Sequence, residues 1–174
     1  VERYEIDGGV IRCFVSKKNM QKPSPKINEL IKKEKELGIH TIEGLEDFSN
    51  TINEHRNELV FLLNDLKKEN KKIAALSMPA KGVALLNFSK IDTRLIEFAT
   101  EKTSLKIGKY APGSHIPIKS DNDLTVSNVD YALLLAWNFS AEIIKNNLKY
   151  LQKGGKFIIP IPKVKIISKY NEKN

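Results

Sequence analysis

Polar side chains and backbone restraints are concentrated in the segment KYAPGSHIPI, at residues 109–118. Pro112 and Pro117 restrict the backbone there, and Gly113 permits a sharp turn after Pro112. Neither a helix nor a central strand tolerates two prolines at this spacing. A loop that is fixed in advance loses less entropy when a ligand binds, so this segment is a candidate binding loop.

Four side chains of this segment could contact a ligand. Tyr110, Ser114 and His115 offer hydrogen bonds or a stacking face, and Lys109 offers a charge for a phosphate. His115 is also a candidate general acid or base, but we favour a binding role for it and assign no catalytic residue to this chain. A rigid loop that packs against the edge of a sheet explains the same residues equally well.

A second candidate is the turn MPAKG, at residues 78–82. It follows a predicted strand and opens a predicted helix, whose N-terminal amides and dipole favour an anion. Lys81 would add a positive charge, and Gly82 would let the backbone approach the ligand closely. With one glycine and no GK[ST], the turn is neither a P-loop nor a dinucleotide fingerprint. On local pattern alone, an ordinary turn with a surface lysine is favoured.

The third candidate is AWNF, at residues 136–139, which also ends a predicted strand. Trp137, the only tryptophan, is expected either in the core or as a stacking wall. Asn138 could bond a ligand, but capping of the next helix by Asn138 or Ser140 is the more common arrangement.

Other polar residues are interpreted as structural. Glu101 and Lys102 follow a predicted strand, where an acid can bind a ribose hydroxyl, but we expect a solvated pair. His55 lies close to the apolar stripe of a predicted helix and is expected to be a packing residue. The histidines have no obvious carboxylate partners in sequence, and the His and Cys spacing predicts no metal site.

The composition favours a folded domain with an anionic partner. Hydrophobic residues make up 41% of the 174 residues, and the net charge is +8. The lysines are spread along the chain, and the aromatic residues are not interleaved with basic ones. A nucleic-acid partner is therefore disfavoured, and a small phosphorylated ligand is preferred.

The cellular setting is inferred from what the sequence lacks. Cys13 is the only cysteine, which excludes an internal disulfide and a thiolate metal cluster. No apolar run reaches the about 20 residues that span a bilayer, and no secretion signal is visible. We therefore expect a cytoplasmic protein without a membrane partner. The start at Val1 reads as mid-structure, so a fragment of a longer protein is expected.

The elements that must position the candidates are predicted from periodicity. A strand is predicted over 8–18, and helices over 27–38 and about 45–69, the second long enough to connect two units. Further along, strands are predicted over 71–77, 95–100, 130–137 and 156–162, and helices over 83–91 and 140–155. The alternation predicts an α/β fold: a Rossmann-like, three-layer domain with a mainly parallel sheet, preceded by a strand and a long helix. Ligands of such sheets bind beyond the carboxyl ends of the strands, where we expect all three candidate segments to lie.

The order of the segments resembles a known family. Similar runs occur, in the same order, in the C-terminal domain of S-adenosylmethionine-dependent sugar C-methyltransferases, which act on dTDP-linked keto-deoxysugars. The runs in this chain are SMPAKGVALLNF (77–88), TEKTSLKIGKYAPGSHIPI (100–118), AWN (136–138), GG (154–155) and IPIP (159–162). The resemblance covers essentially the whole chain, and ordered matches are more specific than any single one.

The resemblance implies that this chain binds and orients a nucleotide-linked keto-deoxysugar. The candidate substrate-binding residues are Lys81, Gly82, Lys109, Tyr110, Pro112, Gly113, Ser114, His115, Trp137 and Asn138. Lys81 and Lys109 would contact the diphosphate. S-adenosylmethionine, the zinc ion and the base that removes the proton alpha to the sugar ketone are expected in preceding domains. The preceding methyltransferase domain or subunit is therefore an expected partner.

The resemblance also implies a division of the chain. Residues 1–20 would be the last strand of the methyltransferase domain, 21–70 a helical connector, and 71–174 the sugar-nucleotide-binding domain. The full-length protein is expected to be a C-methyltransferase, and this chain alone is expected to be inactive.

One alternative stays open. A non-catalytic domain could use the same sheet only to support a methyltransferase core or a partner subunit. SMPAKG, EKTS and AWN differ from the family's runs at the proposed ligand mouth. The changes in SMPAKG and EKTS favour this alternative, whereas the retained PAKG and PGSHIPI favour ligand binding. A dinucleotide-dependent oxidoreductase would need a glycine fingerprint that the chain lacks.

Overall fold

The computed structural model describes residues 1–6 and 8–169. The chain divides into two compact units, Val1–Asn53 and Glu54–Asn174. This boundary lies inside the connector that the sequence predicts at 21–70. The later part of that connector belongs to the second unit, since Leu59, Leu63 and Leu66 contribute to its core.

The first unit contains a small sheet and helical segments. Strands β1 (Glu2–Tyr4) and β2 (Val10–Arg12) pair antiparallel. The strand predicted over 8–18 is thus formed over three residues only. Helix α1 (Pro25–Glu36) confirms the predicted helix at 27–38, and the hydroxyl of Ser24 accepts a hydrogen bond from the Lys26 N–H (3.4 Å) at its start.

Helix α2 (Ile42–Lys68) confirms the long predicted helix. In its second half Leu59, Leu63 and Leu66 are buried in the core of the second unit. Their spacing by four and three residues places them on one face of the helix. His55 is half-buried and contacts the carbonyl oxygen of Pro160 through Nε2, which confirms its packing role.

Over the residues that the structure describes, the second unit is built on a six-stranded sheet. Its strands are β3 (Ile73–Leu76), β4 (Ala99–Glu101), β5 (Ile118–Ser120), β6 (Tyr131–Leu134), β7 (Lys156–Ile159) and β8 (Lys165–Ile167). The order is β5-β4-β3-β6-β7-β8, and every neighbouring pair is parallel except β7 and β8. The α/β class with a mainly parallel sheet is therefore confirmed, although β5 and β8 were not predicted.

Helices cover both faces of this sheet. They are α3 (Ala80–Phe88), α4 (Asp123–Val126), α5 (Ser140–Asn146) and α6 (Leu148–Gln152), with a 3₁₀ turn at Trp137–Phe139. Along β3, Ala75 packs in the cluster that includes α2 and α3, whereas Ala74 packs in the cluster that includes α4 and α6. Such alternation produces two cores, one on each face, and so three layers.

Other predicted elements also differ from the structure. The strand predicted over 95–100 begins only at Ala99, because a turn forms in which Asp92 accepts hydrogen bonds from the backbone N–H groups of Arg94, Leu95 and Ile96. The helix predicted over 140–155 is interrupted at Asn147, whose φ of −119° is not helical. None of the helices in the part of the chain that the structure describes is both long and apolar enough to cross a membrane.

Candidate functional site

The strand order reverses direction between β3 and β6. β4 and β5 lie on one side of β3, and β6, β7 and β8 on the other. The loops after β3 and β6 therefore diverge and open a crevice, which is the usual ligand position in such sheets. A cleft of about 350 Å³ lies there, and its lining includes Ser77, Asp121, Ala136 and Asn146. We call it the carboxyl-edge crevice.

Lys81 lies in the first turn of α3 at this edge of the sheet. Its Nζ is 4.9 Å from the centroid of the Trp137 ring and 5.8 Å from that of Phe139, which also lines the crevice. Cation–π attraction keeps the ammonium group near the N-terminal end of α3, where the helix dipole favours an anion. Trp137 is half-buried and lies beside the lysine, and Asn138 follows it in the same turn. The role of Trp137 as a stacking wall for a ligand stays a prediction.

Close packing explains why position 82 is a glycine. It is buried, and a Cβ atom added there would lie 2.7 Å from the Cβ of Leu135 and 3.2 Å from the Cδ of Pro79. The absence of a side chain lets the first turn of α3 approach the end of β6. This close packing supports the position of Lys81 without any contact between Gly82 and a ligand.

The segment 109–118 does not lie at the carboxyl edge, and that expectation is wrong. Pro117 precedes β5, and its carbonyl oxygen accepts a hydrogen bond from the N–H of Ala99 (2.8 Å) at the start of β4. The N–H of Ile118 donates to the carbonyl of Lys109 (2.8 Å). The chain thus leaves β4, returns antiparallel beside β5, and turns at the amino end of the sheet.

The turn itself is docked on the C-terminal half of α3. The N–H of His115 donates to the carbonyl of Ala111 (2.9 Å), and Asn87 Nδ2 donates to the carbonyl of Pro112 (3.0 Å). Gly113 has a φ of +78°, and a side chain there would collide with the amide of Asn87. The sharp turn predicted from Pro112 and Gly113 is confirmed, and its hydrogen bond with Asn87 docks it on α3.

The candidate residues therefore form two groups. Lys81, Gly82, Trp137 and Asn138 follow β3 and β6 at the carboxyl end of the sheet, but none of the four lines the carboxyl-edge crevice. The residues from Lys109 to His115 lie towards the other end of α3. Lys81 and Asn87 are six residues apart, which is about 9 Å along the axis. Lys109, Tyr110 and His115 are exposed, whereas Ser114 is buried with no hydrogen-bond partner for its hydroxyl among the described residues.

Glu101 and Lys102 do not form the solvated pair that the sequence predicted, because the Glu101 carboxylate is turned into the protein. Its side chain is only 11% exposed, and its carboxylate accepts hydrogen bonds from Lys106 Nζ (3.1 Å) and the N–H groups of Met78 (3.3 Å), Lys102 (2.9 Å) and Thr103 (3.4 Å). Burial acts to raise the pKa of Glu101, but these hydrogen bonds outweigh it and the net pKa is lowered. Lys106 also donates to the carbonyl of Met78 (2.9 Å), so the pair ties together the loops after β3 and β4.

Asp121 is a crevice residue that sequence reasoning missed. It follows β5 directly, and β5 was not predicted, so nothing placed it at the carboxyl edge. Its Oδ1 atom is buried and has no hydrogen-bond partner among the described residues. Burial raises the pKa of this carboxyl group. Together with Glu142, it lines the crevice with acceptors that suit ligand hydroxyl groups.

Two residues that could serve a nucleoside cofactor at this edge, Glu101 and Gly82, are engaged within the protein. An acid at the end of the second strand would hold ribose hydroxyls, but the carboxylate of Glu101 is occupied by Lys106 and three backbone N–H groups. The space beside Gly82, the one glycine of the turn after β3, is occupied by the side chain of Leu135. Among the described residues, no group of three or more His, Cys, Asp or Glu could hold a metal ion.

The fold and the crevice define an α/β domain of the type that binds ligands where the strand order reverses. Residues 5–162 match the family described as the C-methyltransferase C-terminal domain, and the chain belongs to that family. It is 34% identical over 169 residues to the C-methyltransferase NovU of Streptomyces niveus. This similarity covers 97% of the chain but 40% of that relative, so the chain spans less than half of the relative's length. The family resemblance inferred from the sequence is confirmed.

Proposed function

We propose that this chain is the substrate-binding C-terminal domain of an S-adenosylmethionine-dependent C-methyltransferase that acts on a nucleotide-linked keto-deoxysugar. Family membership supports the methyltransferase assignment. The observation that carries the substrate assignment is Lys81, held 4.9 Å from the ring of Trp137 at the N-terminal end of α3. A positive charge beside free helix amides is suited to a diphosphate.

Residues at the carboxyl end of the sheet, in and beside the crevice, would divide the ligand between them. The diphosphate would lie at Lys81 and the first amides of α3, and Trp137 or Phe139 would provide a stacking face. Sugar or ribose hydroxyls would donate to Asp121 and Glu142, which line the same cleft. The exposed Lys109, Tyr110 and His115 stay predicted substrate contacts, reached from the other end of α3.

Methyl transfer would take place outside this chain, in a preceding domain that is the proposed partner. S-adenosylmethionine supplies the methyl group there, and a base in that domain removes the proton alpha to the ketone. The contribution of this chain is to hold the substrate in one orientation against that centre and to exclude water from it. We propose a cytoplasmic location for the whole enzyme.

A supporting role without ligand binding is the second candidate. Gly82 is accounted for by its packing against Leu135, and the turn at Gly113 by its packing against Asn87. Both features would be kept in a domain whose only task is to support a methyltransferase core.

Calorimetric titration with dTDP separates the two functions. Saturable binding is expected, and Lys81→Ala is expected to weaken it about tenfold or more, since it removes a charge-assisted contact. The matched control is Lys149→Ala, which removes an exposed lysine from α6. UDP tests the choice of base, and S-adenosylmethionine should release no heat.

Two outcomes would overturn the proposal. In one, neither nucleotide binds to the chain or to the full-length protein that contains it, which favours the supporting role. In the other, S-adenosylmethionine binds to this chain, which would contradict the assignment of its site to a preceding domain.

A further inference from the structure

A second groove lies in the unit Glu54–Asn174, between the second half of α2 and the connection from α3 to β4. Its volume is about 600 Å³, which is within the range of small-molecule sites. Three of its lining residues are cations, Arg56, Lys90 and Arg94, and the described residues that line it include no acid. It shares no lining residue with the carboxyl-edge crevice. We call it the α2 groove.

Both arginines of the α2 groove are held in position. Arg56 Nη2 donates to Asn57 Oδ1 (3.1 Å), and its guanidinium lies 5.6 Å from the centroid of the Phe88 ring. Arg94 Nε donates to both carboxylate oxygens of Asp92 (2.9 and 3.0 Å). A guanidinium carries five N–H donors, so these contacts orient each arginine and leave donors for a ligand. Asp92 offsets one charge, and the groove stays positive.

Ser89 lines the groove but does not offer its hydroxyl to a ligand. The residue is 4% exposed, and its hydroxyl oxygen is closed to solvent and has no hydrogen-bond partner among the described residues. A phosphoryl group in the groove would therefore be attracted by the three cations and not held by this hydroxyl.

We infer that the α2 groove binds the phosphoryl group of a small ligand, with Arg56, Lys90 and Arg94 as counter-charges and donors. The groove also contains the ring of Phe61, which is 67% exposed and offers a stacking face. The ligand class is therefore a nucleotide or another phosphorylated compound with a planar ring.

This site is separate from the proposed sugar-nucleotide site. Lys81 and Ser89 are eight residues apart, at opposite ends of α3, which corresponds to about 12 Å along the axis. The two proposals can therefore fail independently, and the experiment is done in a chain in which Lys81 has been replaced.

Nuclear magnetic resonance of the Lys81→Ala chain tests the inference. Inorganic pyrophosphate and thymidine monophosphate are titrated separately at constant ionic strength. Saturable shifts are expected for the backbone amides of Asn57, Ser89 and Lys90. Tighter binding of the monophosphate than of pyrophosphate would identify the planar ring as part of the ligand.

Variants of the groove complete the test. The double variant Arg56→Gln with Lys90→Gln should weaken binding about tenfold or more. The control is Lys145→Gln with Lys149→Gln, which removes the same charge from exposed positions of α5 and α6 and should leave binding unchanged.

The inference would be overturned if the shifts grow linearly and spread over lysines of the whole chain. It would also be overturned if the control double variant weakens binding as much as the groove variant does.

Discussion

Replacement of Gly82 by alanine tests the packing that positions Lys81. In an open helical position this change stabilises a protein by about 0.5–1 kcal/mol, because alanine restricts the unfolded chain more than glycine does. At Gly82, however, the new Cβ would lie 2.7 Å from the Cβ of Leu135 and 3.2 Å from both the Cδ1 of Leu135 and the Cδ of Pro79. The neighbours are a buried side chain and a proline ring, so neither can move freely.

The magnitude follows from the two opposed effects. Overpacking of a close-packed site costs about 1–3 kcal/mol, which exceeds the gain in helix propensity. We expect Gly82→Ala to lower the free energy of unfolding by about 1–2 kcal/mol. Urea unfolding followed by the fluorescence of Trp137, the only tryptophan, measures this directly.

The matched control is Ala84→Gly, at an exposed position of the same helix. It exchanges the same two residue types in the reverse direction, and it should cost about 1 kcal/mol through propensity alone. A Gly82→Ala chain that is more stable than the parent would refute the reasoning, because it would mean that α3 has room to accept the methyl group.

Three further predictions follow from the contacts of the second unit. Asn87→Ala removes hydrogen bonds to the carbonyls of Val83 (2.9 Å) and Pro112 (3.0 Å). Hydrogen exchange at the His115 amide should therefore become faster. An unchanged exchange rate would contradict the docking of the turn on α3. The pKa of Glu101 is lowered in the folded state. The carboxylate therefore contributes its full stabilisation at pH values above the unfolded-state pKa of about 4.3, and this stabilisation is lost as the pH falls through the lower folded-state pKa. Glu101→Gln should therefore flatten the loss of stability between about pH 5 and pH 3 in chemical unfolding, and an unaltered pH profile would count against the hydrogen bonds described. Gly155→Ala should destabilise the chain by about 1–3 kcal/mol in thermal or urea unfolding, since its Cβ would collide with the ring of Tyr150; a neutral result would show that the ring can move.

The elements that were predicted correctly are those with strong local signals. The apolar residues of α2 recur at steps of three and four residues, and β3 is a short run of apolar residues that is buried on both faces. β5 and β8 are three residues long, and such short segments carry too little periodicity to be recognised. The break at Asn147 was also hidden, because apolar residues continue on both sides of it.

The candidate site was predicted in its residue types but not in its arrangement. The prolines and Gly113 correctly indicated a fixed turn, since their conformational limits are local properties. Their place at the amino end of the sheet depends on the return of residues 108–110 beside β5, which is a long-range pairing. Likewise, the acid at Glu101 was visible in the sequence, but its partner Lys106 is brought back by the loop between them.

The last strand also has a consequence for how copies of the protein behave together. β8 is an edge of the six-stranded sheet and pairs antiparallel with β7. An edge strand presents backbone N–H and C=O groups that can recruit a strand from another molecule. Exposed lysines lie before, within and after β8, at Lys163, Lys165 and Lys169. Edge-to-edge pairing would bring these like charges together, so the lysines oppose aggregation through this strand.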